Sequence, residues 1–165
     1  MSDRLLPPHT PDCMGCGPNN AAGLQMQVHL TDDEVYTDIV FDSRHVGAPG
    51  LAHGGAVSAA CDDLFGFTLW IARRPAVTRS LTVEYLAPVT LGQTHRITAR
   101  IVKESGRTIH VAATGTNSST TCFTASAIFI EVPAEHFIRH GGPGNPAIEA
   151  LLNTLSTIDT HTREM

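Results

Sequence analysis

The sequence predicts an α+β domain in which an antiparallel sheet curls around one long buried helix. Three observations carry this reading. From Ala56 to Ala72 there is no Lys, Arg or Glu, so a helix there is apolar all round and needs cover on every side. Before and after it lie segments whose hydrophobicity alternates with the period of two that marks half-buried strands. The connections between the last four segments are short and hairpin-like, which makes neighbours antiparallel.

Taken in order, residues 1–20 are rich in Pro, Gly and Asn and read as an irregular lead-in. Gln25 to Leu30 is a strand with Met26, Val28 and Leu30 on one face. Thr31-Asp32-Asp33 is a hairpin turn. Val35 to Phe41 is the second strand, with Val35, Thr37, Ile39 and Phe41 alternating against Tyr36, Asp38 and Val40. A loop with Gly47, Pro49 and Gly50 leads to the helix, which runs from about Gly54 to Ala72. Arg73-Arg74-Pro75 stops it, because cations suit a helix C-terminus and proline blocks continuation. Four strands follow: Ala76 to Tyr85, Thr94 to Glu104, Thr108 to Asn117 and Thr121 to Val132. In the first of these Val77, Leu81, Val83 and Tyr85 stand at even spacing. The main domain covers residues 21–140. A tail over 141–165 opens with the break Gly141-Gly142-Pro143-Gly144 and continues as a one-sided apolar helix carrying Ile148, Leu151, Leu152, Leu155 and Ile158.

Composition excludes several classes of function. A chain of 165 residues with 42% apolar and 16% charged content has room for one domain with a real core. A net charge of −5 and a pI near 5.9 argue against a nucleic-acid partner, and no basic cluster points to a membrane surface. The apolar run is too short for a membrane span and is interrupted by Asp62 and Asp63. The residues Met1 to Pro8 lack the apolar core of a signal peptide, so a cytoplasmic location is expected.

Four cysteines stand at 13, 16, 61 and 122. Cys61 and Cys122 fall in apolar segments and read as buried small hydrophobes. Cys13-Met14-Gly15-Cys16 is a single CxxC with no second pair at zinc-finger spacing, although His9 and His29 are near enough in sequence to be recruited. The following Gly17-Pro18-Asn19-Asn20 makes the segment a turn, and no metal or cofactor is expected.

The chemistry concentrates in one stretch. Gly54-Gly55 bares backbone N–H groups at a helix start, where a developing negative charge is stabilised. Two carboxylates follow inside an apolar helix, where desolvation penalises charge heavily. An oxyanion donor and a carboxylate in one segment suggest acyl chemistry, with the carboxylate as general base or as nucleophile. Gly54 and Asp62 are eight residues apart, about 12 Å along a helix. Both must come within roughly 3 Å of one carbonyl. One helix cannot supply both; two antiparallel helices across a two-fold axis can. The reading therefore requires a dimer with two composite sites. Asp62 and Asp63 point about 100° apart, so at most one is the catalytic group. His53 either anchors the loop or positions a carbonyl, and His45 has similar status. Thr78, at the start of the strand after the helix, offers a hydroxyl for a water or an Asp carboxylate, and taken alone reads as a β-favouring surface residue.

The string His45-Val46-Gly47-Ala48-Pro49-Gly50-Leu51-Ala52-His53-Gly54-Gly55-Ala56, followed by Asp62, resembles the hotdog-fold acyl-CoA thioesterases of the PaaI-like and THEM4-like group. The lead-in Cys13 to Asn19 with Gly23-Leu24, the run Leu81 to Pro88, and the turn Gly106-Arg107 add to the resemblance, which spans about residues 10–132. It implies a homodimer, or a dimer of dimers, that hydrolyses an acyl-CoA thioester. On that resemblance Asp62 is the catalytic carboxylate, Gly54 donates the N–H that polarises the carbonyl with Gly55 beside it, Thr78 orients the water, and His53 is the motif histidine. Asp63 stands where many relatives carry Glu or Ala. His45 stands where many carry an upstream Asn. Coenzyme A would need cations for its phosphates, and Arg79, Lys103 and Arg107 are the candidates. A non-catalytic acyl-CoA or hydrophobic-ligand module on the same fold is the alternative.

Overall fold

The computed structural model describes residues 3–32, 34–142 and 144–157. Seven strands make one antiparallel sheet: β1 (Arg4–Leu5), β2 (Val28–Leu30), β3 (Val35–Val40), β4 (Ala76–Tyr85), β5 (Thr94–Ser105), β6 (Thr108–Asn117) and β7 (Thr120–Glu131). Their spatial order is β1-β2-β3-β5-β6-β7-β4. The long helix α1 (Gly54–Ile71) joins β3 to β4, so the chain leaves one half of the sheet, crosses its concave face, and returns at the far edge. Two short helices follow, α2 (Glu135–Gly141) and α3 (Pro146–Thr157).

The core lies between α1 and the inward faces of β3, β5, β6 and β7. Val57, Ala60, Cys61, Leu64, Phe65 and Phe67 of the helix meet Val35, Ile39, Ile97, Ile109, Val111, Phe123 and Phe129. The alternation read in β3 holds residue by residue: Val35, Thr37, Ile39 and the following Phe41 are buried, whereas Asp38 and Val40 are exposed. Burial of a Phe or Leu side chain contributes about 1.5–3 kcal/mol, so this layer dominates the stability. Trp70 and Leu69 close its far end. None of the helices in the described residues is long and apolar enough to cross a membrane.

The helix stops where composition indicates, but by backbone closure rather than by cations, since its last turn carries no basic residue. The N–H groups of Ala72, Arg73 and Arg74 bond back to Thr68, Trp70 and Leu69. Arg73 takes the left-handed conformation (φ 55°) that this closure requires, a role more often given to glycine.

Other differences from the sequence reading have local causes. β2 starts at Val28 rather than Gln25, because Gln25 turns left-handed (φ 51°) and Met26 donates its N–H to the Gly15 carbonyl instead of to the sheet. Within the lead-in, Arg4–Leu5 add an edge strand against His29–Leu30. In β4 the register shifts between Thr78 and Ser80, leaving Arg79 as a bulge. The extra residue flips the alternation. Thr78 opposite Phe129, not Val77, therefore shares the helix-facing side with Leu81, Val83 and Tyr85. Helix α2 has too few residues to show a period. The β2–β3 turn is closed by Thr31, whose N–H and Oγ1 both donate to the Glu34 carbonyl; Asp33 lies outside the described residues, as do Pro143 and Ile158 of the tail.

Candidate active site

The loop before α1 is built by backbone bridges. Val46 pairs with Ala52 and Leu51 with Thr90, and the His53 N–H donates to the His45 carbonyl at 2.7 Å. His45 belongs to this scaffold. Its Nδ1 accepts from the Asp42 N–H at 3.1 Å, its ring meets Phe41 edge-on, and it is buried. Among the described residues its Nε2 has no hydrogen-bond partner.

His53 is the N-cap of α1. Its extended backbone (φ −64°, ψ 134°) lets Nδ1 accept from the Gly55 N–H at 2.8 Å. A cap satisfies one of the donors that every helix start leaves unpaired. The Gly55 N–H is thereby taken. Among the described residues no acceptor takes the Gly54 N–H, which opens the helix at the positive end of its dipole. The Gly54 carbonyl accepts from the Tyr85 hydroxyl at 2.6 Å, and that hydroxyl also lies 3.2 Å from Ser58 Oγ. Tyr85 thus ties the helix start to the end of β4. Nothing in its local sequence marks it, since an aromatic residue in a strand is ordinary.

Two turns along α1, Asp62 and Asp63 diverge into different surroundings. Asp62 faces β4, where the Thr78 hydroxyl donates to its Oδ1 at 2.9 Å. The bulge at Arg79 places Thr78 on that side. Asp63 turns to the lead-in, where Oδ1 lies 3.1 Å from His9 Nδ1, 3.1 Å from Cys13 Sγ and 3.8 Å from Cys16 Sγ. Burial holds the Asp63 carboxyl above the usual carboxylate range, against the pull of His9. Burial opposes protonation of His9, but its contacts with Asp63 and Cys13 outweigh it and raise the pKa to about 9. Asp63 therefore does not join Asp62; its partners are His9, Cys13 and Cys16 of the lead-in.

The three cations lie at the same end of the sheet. Arg79 is exposed in the bulge itself. Arg107 opens β6, two strands across from Thr78, and donates its Nε–H to the Glu131 carbonyl at 3.0 Å. Lys103 is exposed on β5, opposite His110. Arg74, read only as a helix stop, is bound up with Glu131, Glu104 and the Gly106 carbonyl.

A long helix wrapped by a curled antiparallel sheet, opened by a bare glycine amide and carrying a carboxylate held from the edge strand, is the hotdog architecture. Residues 49–123 match the family model of the thioesterase superfamily. Mouse (Mus musculus) acyl-coenzyme A thioesterase THEM4 is 31% identical over 91 residues, which are 54% of this chain and 39% of that protein. The matched region is thus less than half the length of that relative. Mouse acyl-coenzyme A thioesterase 13 is 25% identical over 96 residues, 57% of this chain and 68% of the relative. Among solved structures, a Streptococcus mutans protein bound to acetyl CoA has a TM-score of 0.61 at 24% identity, covering 65% of this chain and 88% of that one. The PaaI protein of E. coli has a TM-score of 0.62 at 17% identity, covering 67% and 81%.

Proposed function

We propose that the protein hydrolyses an acyl-CoA thioester at sites shared between two subunits. The observation that carries this is the Thr78–Asp62 hydrogen bond, which fixes one carboxylate oxygen from the neighbouring strand. Oδ2 is then left to take a proton from a water as its oxygen attacks the acyl carbon. The Thr78 oxygen retains lone pairs that can accept from the same water. The negative charge forming on the carbonyl oxygen is met by the Gly54 N–H of the partner subunit. A single such donor is worth about 3–4 kcal/mol in a dry site. Coenzyme A leaves as the thiol, and the free acid is the second product. Direct attack by Asp62 through a mixed anhydride uses the same groups.

The dimer is supported by what one chain leaves uncovered. The N-terminal half of α1 presents Ser58, Ala59 and Asp62 as half-buried residues, an odd exposure for a central helix. Beside them runs β4, an edge strand of ten residues with one row of backbone groups unpaired by the sheet. Tyr85, Leu86 and Val46, all about half exposed, extend the apolar surface at its end. A second copy across a two-fold axis covers this face and brings Gly54 opposite Asp62. Arg79, Lys103 and Arg107 provide positive charge for the phosphates of coenzyme A. The names of the matched relatives and the acetyl CoA bound to the similar structure support the substrate class.

The test is thiol release from short-chain, long-chain and aryl acyl-CoAs by wild type and Asp62→Asn. The expected result is turnover by wild type and loss of most of it in a variant that stays folded and dimeric. Tight binding of intact thioester with no release by wild type would assign a binding module instead.

A further inference from the structure

We propose that His9, Cys13, Cys16 and Asp63 form a structural zinc site that fastens the lead-in to α1. The four donor atoms, one nitrogen, two sulfurs and one oxygen, all lie within 4.8 Å of one another. Four of the six edges are 3.1 Å for His9 Nδ1 to Asp63 Oδ1, 3.1 Å for Cys13 Sγ to Asp63 Oδ1, 3.4 Å for Cys16 Sγ to His9 Nδ1 and 3.8 Å for Cys16 Sγ to Asp63 Oδ1. A tetrahedron with zinc–sulfur bonds of about 2.3 Å and zinc–nitrogen or zinc–oxygen bonds of about 2.1 Å has edges of roughly 3.3–3.8 Å. These four edges stand within about half an ångström of that figure, the other two fall inside the 4.8 Å limit, and a small adjustment of the side chains admits the ion.

The surroundings are built for this convergence. A Cβ on Gly15 would lie 2.2 Å from Asp63 Cγ, and one on Gly66 would lie 3.0 Å from the His9 ring. Glycine at both positions makes the approach of Asp63 and His9 possible. The His9 ring is clamped between Phe67 and Trp70, with centroids 3.9 and 4.8 Å away. The His9 N–H donates to Cys16 Sγ at 3.2 Å, and such a bond stabilises a thiolate. The Asp63 carboxylate is buried with Oδ2 lacking a hydrogen-bond partner among the described residues, and a cation on Oδ1 would offset the cost of that buried charge. The lead-in is folded around the four groups: Gly17 donates to the Cys13 carbonyl, and Leu24 and Met26 donate to Met14 and Gly15.

Two thiolates, an imidazole and one carboxylate in a tetrahedral set select zinc over magnesium or calcium. With two thiolates, a carboxylate and a neutral imidazole the bound ion carries a net charge of −1, the protons held by the thiols and by the imidazole being released to solvent on binding. Four protein ligands complete the shell and leave no position for a reacting water, which makes the site structural. Its position gives it a second consequence. Asp63 precedes no catalytic step, but it adjoins Asp62 on α1, so the clamp steadies the turn of helix that carries the proposed catalytic carboxylate. The site stands or falls independently of the thioesterase reading.

The experiment measures metal in the untagged full chain purified from zinc-supplemented cells, then exchanges it for cobalt. The expected result is stoichiometric zinc and a cobalt spectrum with thiolate charge-transfer and tetrahedral d–d bands. Cys13→Ser and Asp63→Asn should each lose at least tenfold in zinc affinity, whereas His29→Asn should keep it. Wild type with only trace zinc and no thiolate–cobalt bands would overturn the site. So would a Cys13–Cys16 disulfide found by mass spectrometry in the freshly purified chain. Because both decisive readings are made on wild type, a variant that fails to fold leaves the answer intact.

Discussion

The Thr78 hydroxyl holds Asp62 Oδ1 at 2.9 Å, across the seam between the edge strand and the central helix. The contact exists because Arg79 bulges out of β4 and rotates Thr78 onto the helix-facing side. If Thr78 orients the carboxylate and its water, its loss should be felt in the chemical step. Thr78→Val is expected to lower kcat by roughly 10- to 100-fold, the worth of a hydrogen bond to a charged group, with KM little changed. Thr78→Ser should recover most of the rate. Steady-state kinetics on one acyl-CoA checks this, and an effect confined to KM would assign Thr78 to binding.

The cap at the helix start gives a stability prediction. His53 Nδ1 accepts from the Gly55 N–H at 2.8 Å, so His53→Ala should cost about 1 kcal/mol. His53→Asn, which can still accept from the same N–H, should cost less. Urea denaturation of the three proteins decides it. Equal stability of His53→Ala and wild type would remove the capping role.

A buried glycine gives a packing prediction. A methyl group on Gly15 would overlap the Asp63 side chain. Gly15→Ala should therefore destabilise the protein by about 1–3 kcal/mol, as overpacking does. Gly50, whose left-handed φ of 79° comes with open space around it, should instead respond to backbone strain alone. Thermal melts of Gly15→Ala, Asp63→Ala and the double variant check the overlap, because with the Asp63 side chain gone Gly15→Ala should cost less than it does in the wild-type background.

His95 sets a pH dependence. It is fully buried on β5, its Nδ1–H donates to the Gln93 carbonyl, and Nε2 has no partner among the described residues. Burial lowers its pKa below the usual 6.5. Above 6.5 neither the folded nor the unfolded chain is protonated there, and stability is unaffected by this group. As pH falls below 6.5 the unfolded chain takes up a proton that the folded one refuses, so stability is lost on the acid side. His95→Asn keeps a donor for Gln93 and should flatten this part of the stability–pH curve. An unchanged slope would assign the acid sensitivity to other groups.

Much of this molecule was legible because hydrophobic alternation is a strong signal. The bounds of β4 and β6 and the start of α1 follow from Ala76 to Tyr85, Thr108 to Asn117 and Gly54 as read. What escaped was set by tertiary geometry. A bulge costs one residue and leaves no compositional mark, so the even spacing of Val77 with Leu81 suggested the wrong face for Val77. Arg4–Leu5 is too short to show alternation and forms only because β2 offers an edge. The partners of Asp63 lie 47 to 54 residues away in sequence, so a lone CxxC read as a turn gave no hint of the carboxylate above it. Tyr85 is recognisable only once the helix start stands beside the strand end. Motif spacing together with the resemblance points to Asp62, Gly54 and Thr78, and of these Asp62 and Thr78 meet within one chain.

The central claim is that Gly54 of one subunit serves Asp62 of its mate, and mixing two inactive variants tests it directly. Asp62→Asn removes the base. Gly54→Pro removes the N–H at the first helical position, where proline is tolerated and where the extended His53 before it is compatible. Each variant alone should be nearly inactive. After subunit exchange, random assortment should restore about a quarter of the wild-type rate, since half the dimers are mixed and each holds one intact site. A mixture no more active than its components, with exchange verified, would contradict the shared site.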